Sequence, residues 1–144
     1  MKIRKQIFET NSSSSHSITI CNDIKNYVLD YINPDDDGSI TLTGGEYGWE
    51  WDSFNDAREK ANYCAQTFYN HEAELQLLTE VLIEQTGADQ VIFDLYGYVD
   101  HQSNDVAFEA AINKETLRNF IFNKNSYLYL GNDNDDAPDG WGSN

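Results

Sequence analysis

The chain has 144 residues and a formal net charge of −16, from 25 acidic and 9 basic side chains. That balance works against direct binding of bare DNA, RNA or anionic membranes, which needs Lys and Arg against phosphate. With 40% apolar and 13% aromatic residues, it is also unlike disordered acidic chains, which are poor in aromatics.

The charge is laid out in blocks. Residues 1–33 are nearly balanced, with Lys2, Arg4, Lys5 and Lys25 against Glu9, Asp23 and Asp30. Seven acids and no base lie from Asp35 to Asp56, and nine acids and no base from Glu72 to Glu109. Four more acids, Asp133, Asp135, Asp136 and Asp139, follow Lys124. Such a surface repels itself. Salt adaptation is one reason for it, but a chain rich in Asn, Ile, Tyr and Phe fits that reading poorly.

The N-terminus, Met1 to Glu9, is basic but lacks the apolar stretch of a secretory signal. No apolar run approaches the roughly 18 residues of a membrane span. Cys21 and Cys64 read as free thiols, so a reducing cytoplasm is expected. Ser17-Ile-Thr-Ile-Cys21 alternates as a strand, and Ile24, Tyr27, Val28 and Tyr31 have helical spacing. Asn33-Pro-Asp-Asp-Asp-Gly38 predicts a turn, and Ser39 to Thr43 a second strand. Gly44 to Trp51 reads as a glycine and aromatic loop.

Ser53 with Asp56 predicts a capping box. The helix after it carries the stripe Phe54, Ala57, Ala61, Cys64 and Phe68. A second helix is expected from about His71 to Thr86, packing through Leu75, Leu78 and Leu82 and closed by Gly87. Gln90 to Tyr96 reads as a central strand, and Asp105 to Ile112 is ambiguous. Asn113 predicts the cap of a third helix that turns Leu117, Phe120 and Ile121 inward. Ser126 to Leu130 reads as a last strand. The expected fold class is α+β. Residues 1–130 form one domain, a mixed or antiparallel sheet of about four strands with two or three helices. Residues 131–144 form an acidic, flexible tail.

Several constellations carry chemistry in principle. The serine run ending at His16, with Asp100 and His101 after the expected central strand, contains the groups of a small enzyme acting on a nucleotide or a protein. Those groups must meet in space for catalysis. The plainer reading is a polar turn at each place. Asn33, Asp35 and Asp37 match the first half of a calcium loop, but Gly44 stands where the bidentate Glu belongs. No zinc spacing and no cofactor motif is present.

Glu72, Gln76, Glu80 and Glu84 line one helix face at four-residue steps, usually a solvated face. Glu80 and Glu84 repel each other, with no lysine expected in place to offset them. They gain meaning beside Asp35, Asp36 and Asp37, beside Glu46, Glu50 and Asp52, and beside Asp133, Asp135 and Asp136. Together these carboxylates are expected to stand in for nucleic-acid phosphates before a basic protein. Tyr47, Trp49 and Trp51 read either as interface anchors or as a wedge under their loop.

Three segments resemble those of small proteins encoded by bacteriophages and bacterial mobile elements. They are Phe8-Glu-Thr-Asn-Ser-Ser-Ser-Ser-His-Ser17, Gly44-Gly-Glu-Tyr-Gly-Trp-Glu50 and Tyr98-Val-Asp-His-Gln-Ser103. The resemblance covers about the first two-thirds of the chain and assigns no role to any residue. It implies a context in which small acidic proteins inhibit host nucleases, including restriction and CRISPR effectors, some as nucleic-acid mimics. The expectation is a non-enzymatic inhibitor whose partner is a basic, nucleic-acid-binding host protein.

Overall fold

The computed structural model describes residues 14–22, 28–47, 51–99 and 106–132. In chain order the elements are β1 (Ser14–Thr19), β2 (Ser39–Leu42), β3 (Glu46–Tyr47) and β4 (Asp52–Phe54), then α1 (Ala57–Thr67) and α2 (Glu72–Thr86). They continue with β5 (Gln90–Phe93), β6 (Tyr98–Val99), α3 (Val106–Ala110), α4 (Lys114–Phe122) and β7 (Tyr127–Asn132). The α+β class is as expected. The sheet differs from a single one of four strands. β7 lies between β1 and β4, antiparallel to both, while β2–β5 and β3–β6 form two parallel pairs.

Helix α1 organises these parts. Asp56, in extended conformation, caps it by accepting from the Glu59 N–H at 3.0 Å. Ser53, expected to open the helix, lies instead on β4. The predicted stripe is right in its helical part, since Ala57, Ala61, Cys64 and Phe68 are fully buried. Burial goes further than the stripe, however. Lys60, Asn62, Gln66 and Thr67 on the same helix are also buried. Burying a polar group is costly unless it is hydrogen-bonded; Thr67 Oγ1 has no such partner among the described residues, and the other three account for how the layers are joined.

Lys60 Nζ donates to the carbonyls of Asn123 (2.9 Å) and Ser126 (2.8 Å) and lies 5.5 Å from the centre of the Phe120 ring. It therefore holds the turn between α4 and β7. Asn62 and Gln66 act at the other end. Asn62 Oδ1 accepts from the Gly44 N–H (3.4 Å), and Gln66 Oε1 from the N–H groups of Gly45 (3.3 Å) and Gly97 (3.0 Å). The two parallel pairs break at residues 43–45 and 94–97, and the helix's amide side chains take up donors freed by that break. Gly97 has to be glycine here, because a Cβ would run into the Gly45 carbonyl.

The other helices follow the sequence closely. α2 ends at Gly87 in the left-handed region, φ 77°, with its N–H on the Ile83 carbonyl at 2.9 Å. α4 is capped by Asn113 Oδ1, which accepts from the Thr116 N–H at 2.8 Å. Its Leu117, Phe120 and Ile121 are fully buried. The helical spacing of Ile24, Tyr27, Val28 and Tyr31 does not give a helix in its described part, residues 28–32. Leu29 bridges Asn123, and Asp30 N–H donates to the Phe122 carbonyl, so this stretch runs alongside the end of α4. Of the tail expected at 131–144, Gly131 and Asn132 belong to β7, because they pair with Ser15 and Ser14 of β1; residues 23–27, 100–105 and 133–144 lie outside the described residues. Among the described residues no helix is long and apolar enough to cross a membrane.

Two outcomes follow. Burial first, offset in part by Asp56, Cys64 and Asp30, lowers the Lys60 ammonium from 10.5 to about 8. The unfolded chain then holds this proton to higher pH than the folded one, so stability rises as pH climbs through 8. The rise is at most about 1.4 kcal/mol per pH unit. Cys64 opposes it above its ordinary value of 9.0, because burial pushes its thiol up to about 12. Denaturant titrations between pH 8 and 9 should show the increase in the parent protein, and Lys60→Met should lose it. Gln66→Leu, which strands the Gly45 and Gly97 donors, should destabilise by about 2–4 kcal/mol in the same assay.

Candidate partner-binding surface

The Asp35–Asp37 turn is built by its backbone. Asp35 N–H donates to the Ser39 carbonyl and Gly38 N–H to the Asp35 carbonyl, both at 2.8 Å. Asp37 Oδ1 accepts from the Ser39 N–H at 3.1 Å. All three aspartates are exposed. Asp89, not singled out from the sequence, joins them. Its N–H donates to the Gly38 carbonyl at 2.7 Å, and its carboxylate rests against the Gly38 Cα. Four carboxylates thus crowd the N-terminal ends of β2 and β5. They do not converge on a point. Among the described residues no group of three or more His, Cys, Asp or Glu is placed to hold a metal ion.

The acidic stripe of α2 is not uniform. Glu72 is exposed at the start of the helix. Glu80 and Glu84, further on, face α4. Lys114 Nζ lies 3.2 Å from Glu80 and 2.7 Å from Glu84, and Arg118 lies 3.2 Å from Glu84. The repulsion read along α2 is therefore relieved by bases from another helix. The hydrogen bond from Lys114 holds the Glu84 carboxyl below its ordinary value. Glu80 is lowered first by its hydrogen bond from Gln76 and then by Lys114.

The loop aromatics separate. Tyr47, expected as an interface anchor, is in the core at 5% exposure, and its hydroxyl donates to Glu59 Oε1 at 3.0 Å. Its ring packs edge-on against Tyr63 and Phe54, with centroids 5.3 and 6.1 Å away. Burial first, then the Glu59 charge, raises its pKa. It has no anchoring surface to offer, because a parallel strand pair with aromatics beneath it must turn one of them inward. Trp51 is half-buried with its ring against Gly131 of β7. Glu46 and Asp52 are exposed. Trp49, Glu50, Asp133, Asp135 and Asp136 lie outside the described residues.

His16 belongs to the core side of β1. It is 7% exposed, and its Nδ1 lies 2.7 Å from the hydroxyl of the fully buried Tyr63. This is the geometry of a structural hydrogen bond between β1 and α1. Asp100 and His101, its proposed catalytic companions, lie outside the described residues. What the sequence did not mark is an exposed apolar group around β5, namely Ile92 at 40%, Tyr69 at 56% and Tyr96 at 73%. Their spacing suits a buried strand and a helix end, so only the tertiary placement of β5 makes them stand out.

The α2–α4 pairing is open to direct measurement. Carboxyl-carbon NMR should place the Glu84 titration midpoint below that of an ordinary glutamate, and Lys114→Ala should move it back up. Comparison with protein-family models, with curated proteins and with solved structures finds no match to this chain.

Proposed function

We propose that this protein is a non-enzymatic inhibitor of the counter-defence type. Its partner in this reading is a basic host protein that handles nucleic acid, a nuclease such as a CRISPR effector, and its carboxylates occupy part of the phosphate track.

The observation that carries this reading is where the bases go. Arg58, Lys60, Lys114, Arg118 and Lys124 are the cations among the described residues. Arg58 donates to the Thr41 carbonyl at 2.9 Å, and Lys60 is buried on two carbonyls. Lys114 and Arg118 are engaged with α2. The exposed carboxylates at Asp35, Asp36, Asp37 and Asp89, and at Glu46 and Glu72, are in no ion pair with these cations. A field left uncancelled on the outside steers a basic partner and rejects nucleic acid. The resemblance to phage-encoded proteins supplies the class of partner.

The test is binding of the purified chain to a panel of basic nucleases. Affinity is expected to fall at least about tenfold between roughly 50 and 200 mM salt. Duplex DNA or RNA should compete. The triple change Asp35→Asn, Asp36→Asn and Asp37→Asn should weaken binding by about tenfold, from three exposed pairs of modest strength. Affinity indifferent to salt and to nucleic acid, or no binding across the panel, would sink the reading.

A further inference from the structure

The strand β5 is an open edge. It pairs with β2 on one side, and among the described residues no strand pairs with the other. The two strands differ in environment. Ser39, Ile40 and Leu42 of β2 are buried, whereas Gln90 and Ile92 of β5 are exposed and Val91 and Phe93 half-buried. Asp94 and Tyr96 donate their N–H groups to the carbonyls of Leu42 (2.9 Å) and Thr43 (3.4 Å). Strand alternation then turns the backbone polar groups of Val91, Phe93 and Leu95 away from β2. A free row of this kind is a template for another strand.

Beside that edge lies a groove. Two confluent depressions, of about 410 and 350 Å³, share Glu72, Leu75 and Phe93. One extends to Gln76 and Thr79 along α2, the other to Tyr69 and Asp94. The opposite face of the strand carries Ile92 and Tyr96. A strand added to β5 would therefore set alternate side chains into the groove and against Ile92 and Tyr96. The ionisable side chains bordering groove and edge that are acidic include Glu72, Asp89 and Asp94, all exposed. Lysine and arginine are absent from the groove lining among the described residues.

We infer that β5 docks an extended segment of a partner protein in which lysine or arginine alternates with apolar residues. Backbone hydrogen bonds to Val91, Phe93 and Leu95 supply affinity, the groove takes the apolar side chains, and Glu72 and Asp94 take the cations. Charge decides against a second copy of this chain as occupant. Pairing β5 with its own copy would bring Glu72, Asp89 and Asp94 of two molecules together, each molecule at −16. This assignment rests on the reading that the partner is basic, and it goes further by naming the strand and the binding mode.

The test uses the full chain and a fluorescent peptide of alternating valine with arginine and lysine. Two controls are the same peptide N-methylated at alternate positions, and a scrambled peptide of equal charge. Saturable binding of the parent peptide is expected, with slowed amide exchange at Val91, Phe93 and Leu95. N-methylation of the pairing set should weaken it at least tenfold, and Leu75→Lys or Asp94→Lys should do the same in a chain whose circular dichroism is unchanged. Equal binding of all three peptides would overturn strand addition while leaving a basic partner in place. No binding of the parent peptide would overturn it too, and the salt and competition measurements on nucleases would then decide the broader reading alone. A dimer of the free chain that protects the same amides would overturn it in favour of self-pairing.

Discussion

A single buried ammonium ties this fold together. Lys60 reaches from the middle of α1 to the carbonyls of Asn123 and Ser126, and everything near that turn is tied to something else. Asn123 Nδ2 donates to the Cys21 carbonyl, and Cys21 N–H donates to Ser126 Oγ, whose own proton goes to the Asn119 carbonyl. Lys124 N–H donates to the Val28 carbonyl, and Asn55 Nδ2 to the Lys124 carbonyl. The end of β1, the stretch at 28–30, the start of α1 and the passage from α4 to β7 thus meet at one place. Desolvation opposes the charge there, and the net penalty left after Asp56, Cys64 and Asp30 offset part of it is about 3 kcal/mol on the scale of its pKa. A neutral side chain would escape that penalty but would leave the turn's carbonyls without donors, and unpaired buried polar groups are the worse alternative.

The same arrangement governs the surface. An acidic chain has few cations to place, and this one spends those described mostly inward or in pairs. Lys60 is in the core, Arg58 supports β2, and Lys114 with Arg118 binds α4 to α2. Asp30 belongs to the same economy. Burial would raise its carboxyl, but hydrogen bonds from the Ala57 and Tyr31 N–H groups, with Lys124 and Lys60 nearby, bring it below its usual value. Structural carboxylates are therefore compensated. Those at the β2 and β5 ends are left to solvent or to a partner.

Helices were legible in the sequence because their signals are local. Asn113, Gly87 and the leucine spacing of α2 each act within one or two turns. Asp56 was close enough to Ser53 to be misassigned by a single turn, since both residue types cap helices and the true one is fixed by the entry of the chain from β4. Sheet order was not legible. Tyr127 to Asn132 reads no differently from Gln90 to Phe93 as a run of residues, yet the first is central and the second is an edge. The candidate site suffered for the same reason. Tyr47 and Glu84 looked available in one dimension, and it took Glu59 and Lys114, from other elements, to occupy them. Asp89 became part of the acidic end only through the parallel pairing of β5 with β2.

The central place of β7 also fixes when the molecule can exist at all. β1 and β4 have no strand partner among the described residues other than β7, and Cys21 and Ser126, which meet beside it, are 105 residues apart in sequence. During synthesis both strands and the Lys60 ammonium must wait for residues 123–132 before their partners emerge. Contacts of such long separation slow folding. Fragments ending before residue 123 would keep the parallel pairs β2–β5 and β3–β6 but lose the three-stranded sheet and the carbonyls of the α4–β7 turn that hold Lys60.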